Sequence, residues 1–358
     1  MTKKISRKRR LPEKCYAVTT EGGVTGIINW KPCWSRRKAG FFFKSIDCLF
    51  MDLQERCNFL SKEFNRLNGK VTPSELNDFI FTFTEQIENL ESHHARQDIL
   101  VQIDDIRKAV AASPFLQRTQ EWPGGYPGDF QTIHYMLSGI NKAVPGTLSY
   151  AIEEYFLQSS ICDQHKNKVG EQARLIRETL QQKPGARILS VGCGTSEDIL
   201  QCLPEAALAD CHFTLVDIDP MALHYSMERL RPIADKITLI EGNIYRIIKR
   251  LTGTFDLIII GGVFDYLEDK VIIAIINELT GRLREKGKLF FTNIAEGNPY
   301  RVCMEYLASW ILIERSHAAI EELLQKSKAT DLPYDIRKEE AGLTWLITLS
   351  NEGATCRV

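Results

Sequence analysis

The chain has 358 residues, 44% of them hydrophobic and 25% charged, and a formal net charge of −1. That is ordinary globular composition, with length for two domains or for one domain and an extension. Balanced charge gives no global electrostatic case for nucleic acid, and apolar runs such as LIIIGGVF are too short to span a bilayer.

The head MTKKISRKRR is basic. It reads as a solvated tail, with contact to anionic lipid or nucleic acid as the alternative. No apolar stretch follows it, so a secretory signal is not expected and a cytoplasmic location is. Ten cysteines lack any CxxC pairing and seven histidines complete no zinc pattern. Reduced thiols, several of them buried, are expected, and no metal.

Residues 16–46 mix β-branched and aromatic residues with glycine, a composition open to a hairpin. From about 47 to 112 the apolar spacing is helical, through CLFMDLQERCNFLSKEFNRL, SELNDFIFTFTEQIENL and DILVQIDDIRKAVAA. VTPSEL places a proline at a helix start. The stiff segment WPGGYPGDF follows, and then a helical run from Thr147 to about Leu180. Beyond it, ARILSVG, HFTLVD, KITLIEG, TFDLIIIG and GKLFFTN alternate with helical stretches, the pattern of a parallel sheet covered on both faces. The last portion, YDIRKEEAGLTWLITLS, reads as two tightly joined strands. The expected fold is α/β, a Rossmann-like doubly wound sheet ending in an antiparallel hairpin, with an N-terminal helical cover. The expected divisions are 1–46, a basic tail and unassigned segment; 47–145, the cover with its GYPGDF turn; and 146–358, the sheet domain.

The first strand runs into SVGCGTSEDIL, where Gly192, Cys193 and Gly194 form a turn that lets a ligand approach the backbone. The second strand ends at Asp217 and Ile218, where a carboxylate can accept both hydroxyls of an adenosine ribose. Asp219 before Pro220 has the pattern of a helix cap. NAD and S-adenosylmethionine (SAM) both use this geometry. A pyrophosphate at the helix start would meet Glu197 and Asp198, whereas a ligand carrying an ammonium and a sulfonium would be favoured there, so SAM is the expected cofactor. The two acids as partners of the helix dipole are the plainer alternative. Asn243 is a candidate for the adenine amino group or a plain turn residue, with Ile244 against the ring. Gly261 and Gly262 open the end of the fourth strand, followed by Phe264, Asp265 and Tyr266, which face the reacting end or else pack as core.

These residues resemble class I SAM-dependent methyltransferases. The blocks GYPGDF, LSVGCGTSEDI, VDIDPMAL, GVFDYL and TNIAEGNPYRVCMEYLASWILIER are similar to a bacterial group that includes the 3-hydroxy fatty acid (3-hydroxypalmitate) methyl ester synthases. The resemblance covers roughly residues 110–350. It implies SAM-dependent methylation of a small molecule, at a carboxyl group in the narrower group. The acid usual two residues before the first glycine is Ser190 here, which puts the partner of the methionine ammonium in question, with Glu197 as substitute.

Methyl transfer needs alignment and exclusion of water, so the helical region is expected to cover the crevice, with WPGGYPGDF as the stiff joint. Tyr126 and Asp129 are candidates for contacts to cofactor or substrate, against a plain turn with Asp129 capping the next helix. A carboxylate nucleophile needs no base and would be held by polar or cationic groups. Phe264, Asn293, Arg301, Trp310 and Arg315 are the candidate substrate contacts, and Asn298, Arg301, Glu305 and Trp310 are expected in one helix. An amine or hydroxyl acceptor would need Asp265, Tyr266 or His134 as base. Asp265, Tyr266 and Arg301 are the candidate catalytic residues. A SAM-binding protein without transfer, and an RNA methylase suggested only by the basic head, are the competing readings. The expected partner is a small-molecule substrate rather than nucleic acid, with a homodimer left open.

Overall fold

The computed structural model describes residues 52–67 and 71–352. The basic head and the hairpin considered within 1–46 lie outside the described residues, which belong to one compact unit.

Seven helices come first: α1 (Leu53–Asn65), α2 (Pro73–Glu91), α3 (Arg96–Gln102), α4 (Asp104–Val110), α5 (Pro114–Glu121), α6 (Phe130–Ser138) and α7 (Leu148–Leu157). Their starts are set by side chains that satisfy the first free N–H groups. Thr72 caps α2 with Glu75 reaching back and Pro73 at the first turn. The stretch 98–112, read as one helix, breaks at Ile103, where the backbone leaves helical geometry and Asp104 and Asp105 start a second helix. The run from Thr147 likewise breaks at Gln158 and Ser159 before the long α8 (Ser160–Gln182). There the Ser159 hydroxyl donates to the Phe156 carbonyl, a local bond that competes with the helix.

The strands are β1 (Ala186–Val191), β2 (Cys211–Asp217), β3 (Ile237–Glu241), β4 (Phe255–Ile260), β5 (Leu283–Ile294), β6 (Tyr334–Lys338) and β7 (Thr344–Ser350), in the order β3-β2-β1-β4-β5-β7-β6. The first five are parallel, β7 runs antiparallel to β5, and β6 pairs antiparallel with β7, so the doubly wound sheet ending in a hairpin is as expected. Helices α9 (Glu197–Leu200), α10 (Leu203–Leu208), α11 (Pro220–Arg229), α12 (Ile244–Ile247), α13 (Asp269–Thr280) and α14 (His317–Gln325) complete the layers.

Every residue of β4 is buried, as a central parallel strand covered on both faces requires. Ile258 and Ile260 pack with Ile272 and Ile276 of α13 and Ile320 of α14. Leu257 and Ile259 pack on the other face with Ala173 and Ile176 of α8. This alternation is the two-residue period of a strand. Register then fixes the crevice. Val191 pairs with Val216 on one side and Ile260 on the other. The next residues, Gly192, Asp217 and Gly261, therefore emerge level, where the strand order reverses at β1 and β4.

The helical layer is bonded to the segment after β5. Arg96 donates to the Glu305 carbonyl, Arg107 to the Tyr306 carbonyl, and Gln120 to the Leu307 carbonyl at 2.8 Å. Residues Cys303–Leu307 form a widened π turn, Ser309 has a positive φ of 53°, and Trp310 lies beyond the turn rather than inside a helix.

Candidate functional site

Gly192 has φ 63°, and a Cβ there would overlap the side chain of Val263, so glycine is required by both backbone and space. Cys193 is buried with its thiol pushed up by burial, leaving only its backbone for a ligand. The Gly194 N–H donates to Asp217 Oδ2 at 2.8 Å, and the Asp219 N–H donates to Oδ1 at 3.0 Å. Asp217 is 6% exposed; burial raises its pKa while these N–H groups oppose the rise. Asp219 caps α11 through the Met221 N–H, as its sequence pattern predicts.

Beside Asp217 opens a cleft of about 500 Å³, lined by Ile218 and Met221 on one side and by Arg118, Tyr126 and Phe130 on the other. Ile218 is 56% exposed, an apolar surface next to a carboxylate. The Tyr126 phenol is pushed up by burial first, then by the charges of Asp217, Asp219 and Asp129. The GYPGDF turn thus reaches the end of the crevice beside Asp217. Within that turn Asp129 is consumed: Oδ1 accepts from the Thr132 N–H and from Arg118, and Oδ2 accepts from the Gly124 N–H. Capping, rather than ligand contact, is what these bonds describe.

Several other candidates have different work from that expected. Glu197 pairs with Arg229 at 2.6 Å, which neutralises the acid proposed for an ammonium. Asp198 is buried and its carboxyl is pushed up to about 6 by burial. Asn243 is an exposed cap whose Oδ1 accepts from the Tyr245 N–H, and Ile244 packs in the core rather than on an open face. Phe264 is 1% exposed and packs on Phe291 with ring centroids 5.0 Å apart, a core residue. Arg315 is buried and donates to Asp269, Asn293 and the Phe264 and Leu267 carbonyls. Asn293 donates in turn to the Ile294 and Ile313 carbonyls, so both residues bind the loop after β4 to the segment after β5. Arg301 makes a two-bonded pair with Glu91 of α2. His134 contacts the Tyr225 hydroxyl at 3.3 Å on α11.

The end of β4 brings together Asp265, Tyr266 and Trp310. Trp310 Nε1 donates to the Tyr266 hydroxyl at 2.8 Å. A Cβ on Gly128 would overlap that hydroxyl and come 2.7 Å from the indole, so the turn closes over the pair. Tyr266 is 40% exposed overall. Desolvation of the hydroxyl beneath the turn raises the phenol pKa, against the lowering effect of the Trp310 hydrogen bond. Asp265 Oδ1 accepts from the Ile294 N–H at 2.6 Å, and burial raises its pKa against the opposing charge of Lys168.

Sequence reasoning missed the face of α8 carrying His165, Lys168 and Gln172. Gln172 presses on Gly261, His165 stacks near Trp310 with centroids 6.1 Å apart, and Lys168 lies beside Gly262. Polar residues at helical spacing on an otherwise apolar stripe were the available signal. Among the described residues no cluster of three or more His, Cys, Asp or Glu is arranged to hold a metal, and no helix is long and apolar enough to cross a membrane.

Residues 189–289 match the family described as "Methyltransferase domain". No curated protein matches the sequence. Among solved structures, a possible exported protein from Bordetella parapertussis is similar at TM-score 0.53 and 17% identity, over 63% of this chain and 80% of that one. The N-methyltransferase NodS from Bradyrhizobium japonicum, in complex with S-adenosyl-L-homocysteine, is similar at TM-score 0.39 and 18% identity, over 51% of this chain and 86% of that one. Magnesium protoporphyrin IX methyltransferase from Synechocystis is similar at TM-score 0.42 and 14% identity, over 55% and 87%. The residues present fit SAM: the Gly192 turn has no room for a Cβ, and Asp217 holds a buried carboxylate level with it. The matched stretch on this sheet identifies a class I, SAM-dependent methyltransferase domain within the chain.

Proposed function

We propose that the chain transfers the methyl group of SAM to the carboxylate of a small, apolar-tailed acid, giving a methyl ester. The supporting observation is the Tyr266–Trp310 pair. Because the phenol oxygen accepts from the indole, the phenol hydrogen is free to be donated, and burial keeps it in place. A donor at the open end of β4 suits an anionic acceptor, which is already a nucleophile at neutral pH. Ile311 and Ile313 are exposed in the segment that follows Trp310, and the Ile313 N–H donates to the Asp265 carbonyl, which sets an apolar rim beside the pair. A fatty acyl tail is the acceptor this rim suits, in keeping with the resemblance to fatty acid methyl ester synthases.

When bound, SAM supplies an electrophilic methyl group. The protein's part is then to hold the acceptor oxygen in line, to keep water out beneath the GYPGDF turn, and to leave the acceptor unprotonated. His165 is a poor base, since burial and then Lys168 hold its pKa well below the usual imidazole value. Asp265 favours a second reading: its raised pKa suits a base for a hydroxyl or amine acceptor.

The test is transfer from methyl-labelled SAM to a panel of fatty acids and other small carboxylates, followed by mild alkali. Volatile label released as methanol supports the ester. Label that resists alkali would sink it and favour the Asp265 reading.

A further inference from the structure

Lys168 is 5% exposed, and the acids nearest its ammonium are Asp265 and Glu339, whose charges only partly offset its burial. A buried lysine not closed into an ion pair is costly and calls for a reason. Its nearby acids do not supply one. Glu339 is taken up by Asn167 and by the backbone N–H groups of Ala341, Leu343 and Thr344. Asp265 is anchored through Oδ1 to the Ile294 N–H, which leaves Oδ2 turned toward Gly262. The position a Cβ would take on Gly262 lies 3.5 Å from Lys168 Nζ and 3.7 Å from Asp265 Oδ2. One small space is therefore flanked by two opposite charges that do not pair with each other.

This space sits at a defined end of the crevice. Gly192 abuts Val263, the residue after Gly262, while Gly194 is bonded to Asp217 at the other end of the same turn. SAM carries its ribose and its α-amino acid group on opposite sides of the sulfonium. With the ribose at Asp217, the amino acid group falls toward Gly262. Of the acids at the start of α9, Glu197 is already paired with Arg229. Ser190, in the place of the usual acid, is neutral.

We propose that Lys168 and Asp265 form a two-sided clamp for the α-amino acid group of SAM, Lys168 facing its carboxylate and Asp265 its ammonium. The clamp rests on the cofactor reading given above. A substrate carboxylate alone would meet Asp265, and a cation alone would meet Lys168; a zwitterion meets both with matched sign. Gln172, 8% exposed on the same face of α8, adds an amide beside Gly261.

The test is calorimetric titration of the full chain and of K168M, K168R and D265N with S-adenosylhomocysteine and with 5′-methylthioadenosine, which lacks the amino acid group. K168M and D265N are expected to lose about 10- to 100-fold in affinity for S-adenosylhomocysteine. Methylthioadenosine affinity is expected to stay within about twofold, which also reports that the variants are folded, and K168R is expected to keep most of the affinity. Equal loss for both compounds in K168M would overturn the clamp. So would unchanged S-adenosylhomocysteine binding with a raised acceptor KM, which would assign the ammonium to the substrate. Failure of the unaltered chain to bind either compound would overturn the cofactor reading itself, and the clamp with it, without reference to any variant.

Discussion

Arg301 and Glu91 are joined by two parallel hydrogen bonds of 2.9 and 2.7 Å between residues 210 positions apart in the chain. The pair ties α2 of the cover to the start of the widened turn that leads to Trp310. R301A is expected to lower unfolding free energy by about 1–2 kcal/mol, discounted for the partial exposure of both side chains. R301K is expected to recover little, because an ammonium cannot form the parallel fork. Denaturant unfolding checks this. A raised acceptor KM with unchanged stability would instead return Arg301 to the substrate.

Gly128 lies against both Tyr266 and Trp310, at φ 70°. G128A would push a methyl group into the pair and add about 1 kcal/mol of backbone strain. The expected result is at least about a tenfold fall in kcat, an effect of about 1.4 kcal/mol on the barrier, with S-adenosylhomocysteine affinity nearly unchanged. Equal activity in G128A would show that the phenol–indole pair takes no part in transfer.

If Asp217 is the carboxylate that holds the ribose, D217A weakens S-adenosylhomocysteine and methylthioadenosine alike, by about 10- to 100-fold. This contrasts with Lys168, whose loss should be felt by the first compound alone. Calorimetry on both variants separates the two ends of the cleft. Selective loss of only one compound in D217A would refute the ribose role.

Asp198 gives a pH-dependent prediction. Burial pushes its carboxyl up to about 6 in the folded chain, above the unfolded value of about 3.9. Its contribution to stability is therefore fully present below pH ~4 and is lost as pH rises through about 6. D198N should be neutral near pH 4 and more stable than the parent above pH ~6.5, by at most about 3 kcal/mol. Unfolding curves across this range decide the matter; a difference independent of pH would refute it.

The sheet was legible because its signals are local. β1, β2 and β4 are short apolar runs; the Gly192 turn follows the first directly and Asp217 ends the second. The Asp219 cap was legible for the same reason. Partners far apart in the chain were not. Nothing near Arg315 announces that Asp269 and Asn293 will enclose it, and nothing near Arg301 points to Glu91. Phe264 looked like a loop aromatic until the packing of Phe291 beneath it fixed its direction. Lys168 is one of several buried polar residues on α8, with Gln164, Gln172 and Thr179, and its place beside Gly262 is set by a partner far along the chain. The boundary at 103–104 depended on backbone geometry that propensity alone does not set.

The widened turn at Cys303–Leu307 is where chain length itself acts as a fastener. A π turn is an ordinary helical turn with one extra residue, and this one ends at Leu307, so its last carbonyls have no helical N–H ahead of them. Here the carbonyls of Glu305, Tyr306 and Leu307 are met by Arg96, Arg107 and Gln120 from the helical layer. Deleting a single residue from this turn would swing those last carbonyls by about 100° around the helix axis and strand two arginines and an amide. The helical layer would come unbuttoned without any change to its own sequence, and a homologue one residue shorter at this point would have to hold that layer by other means.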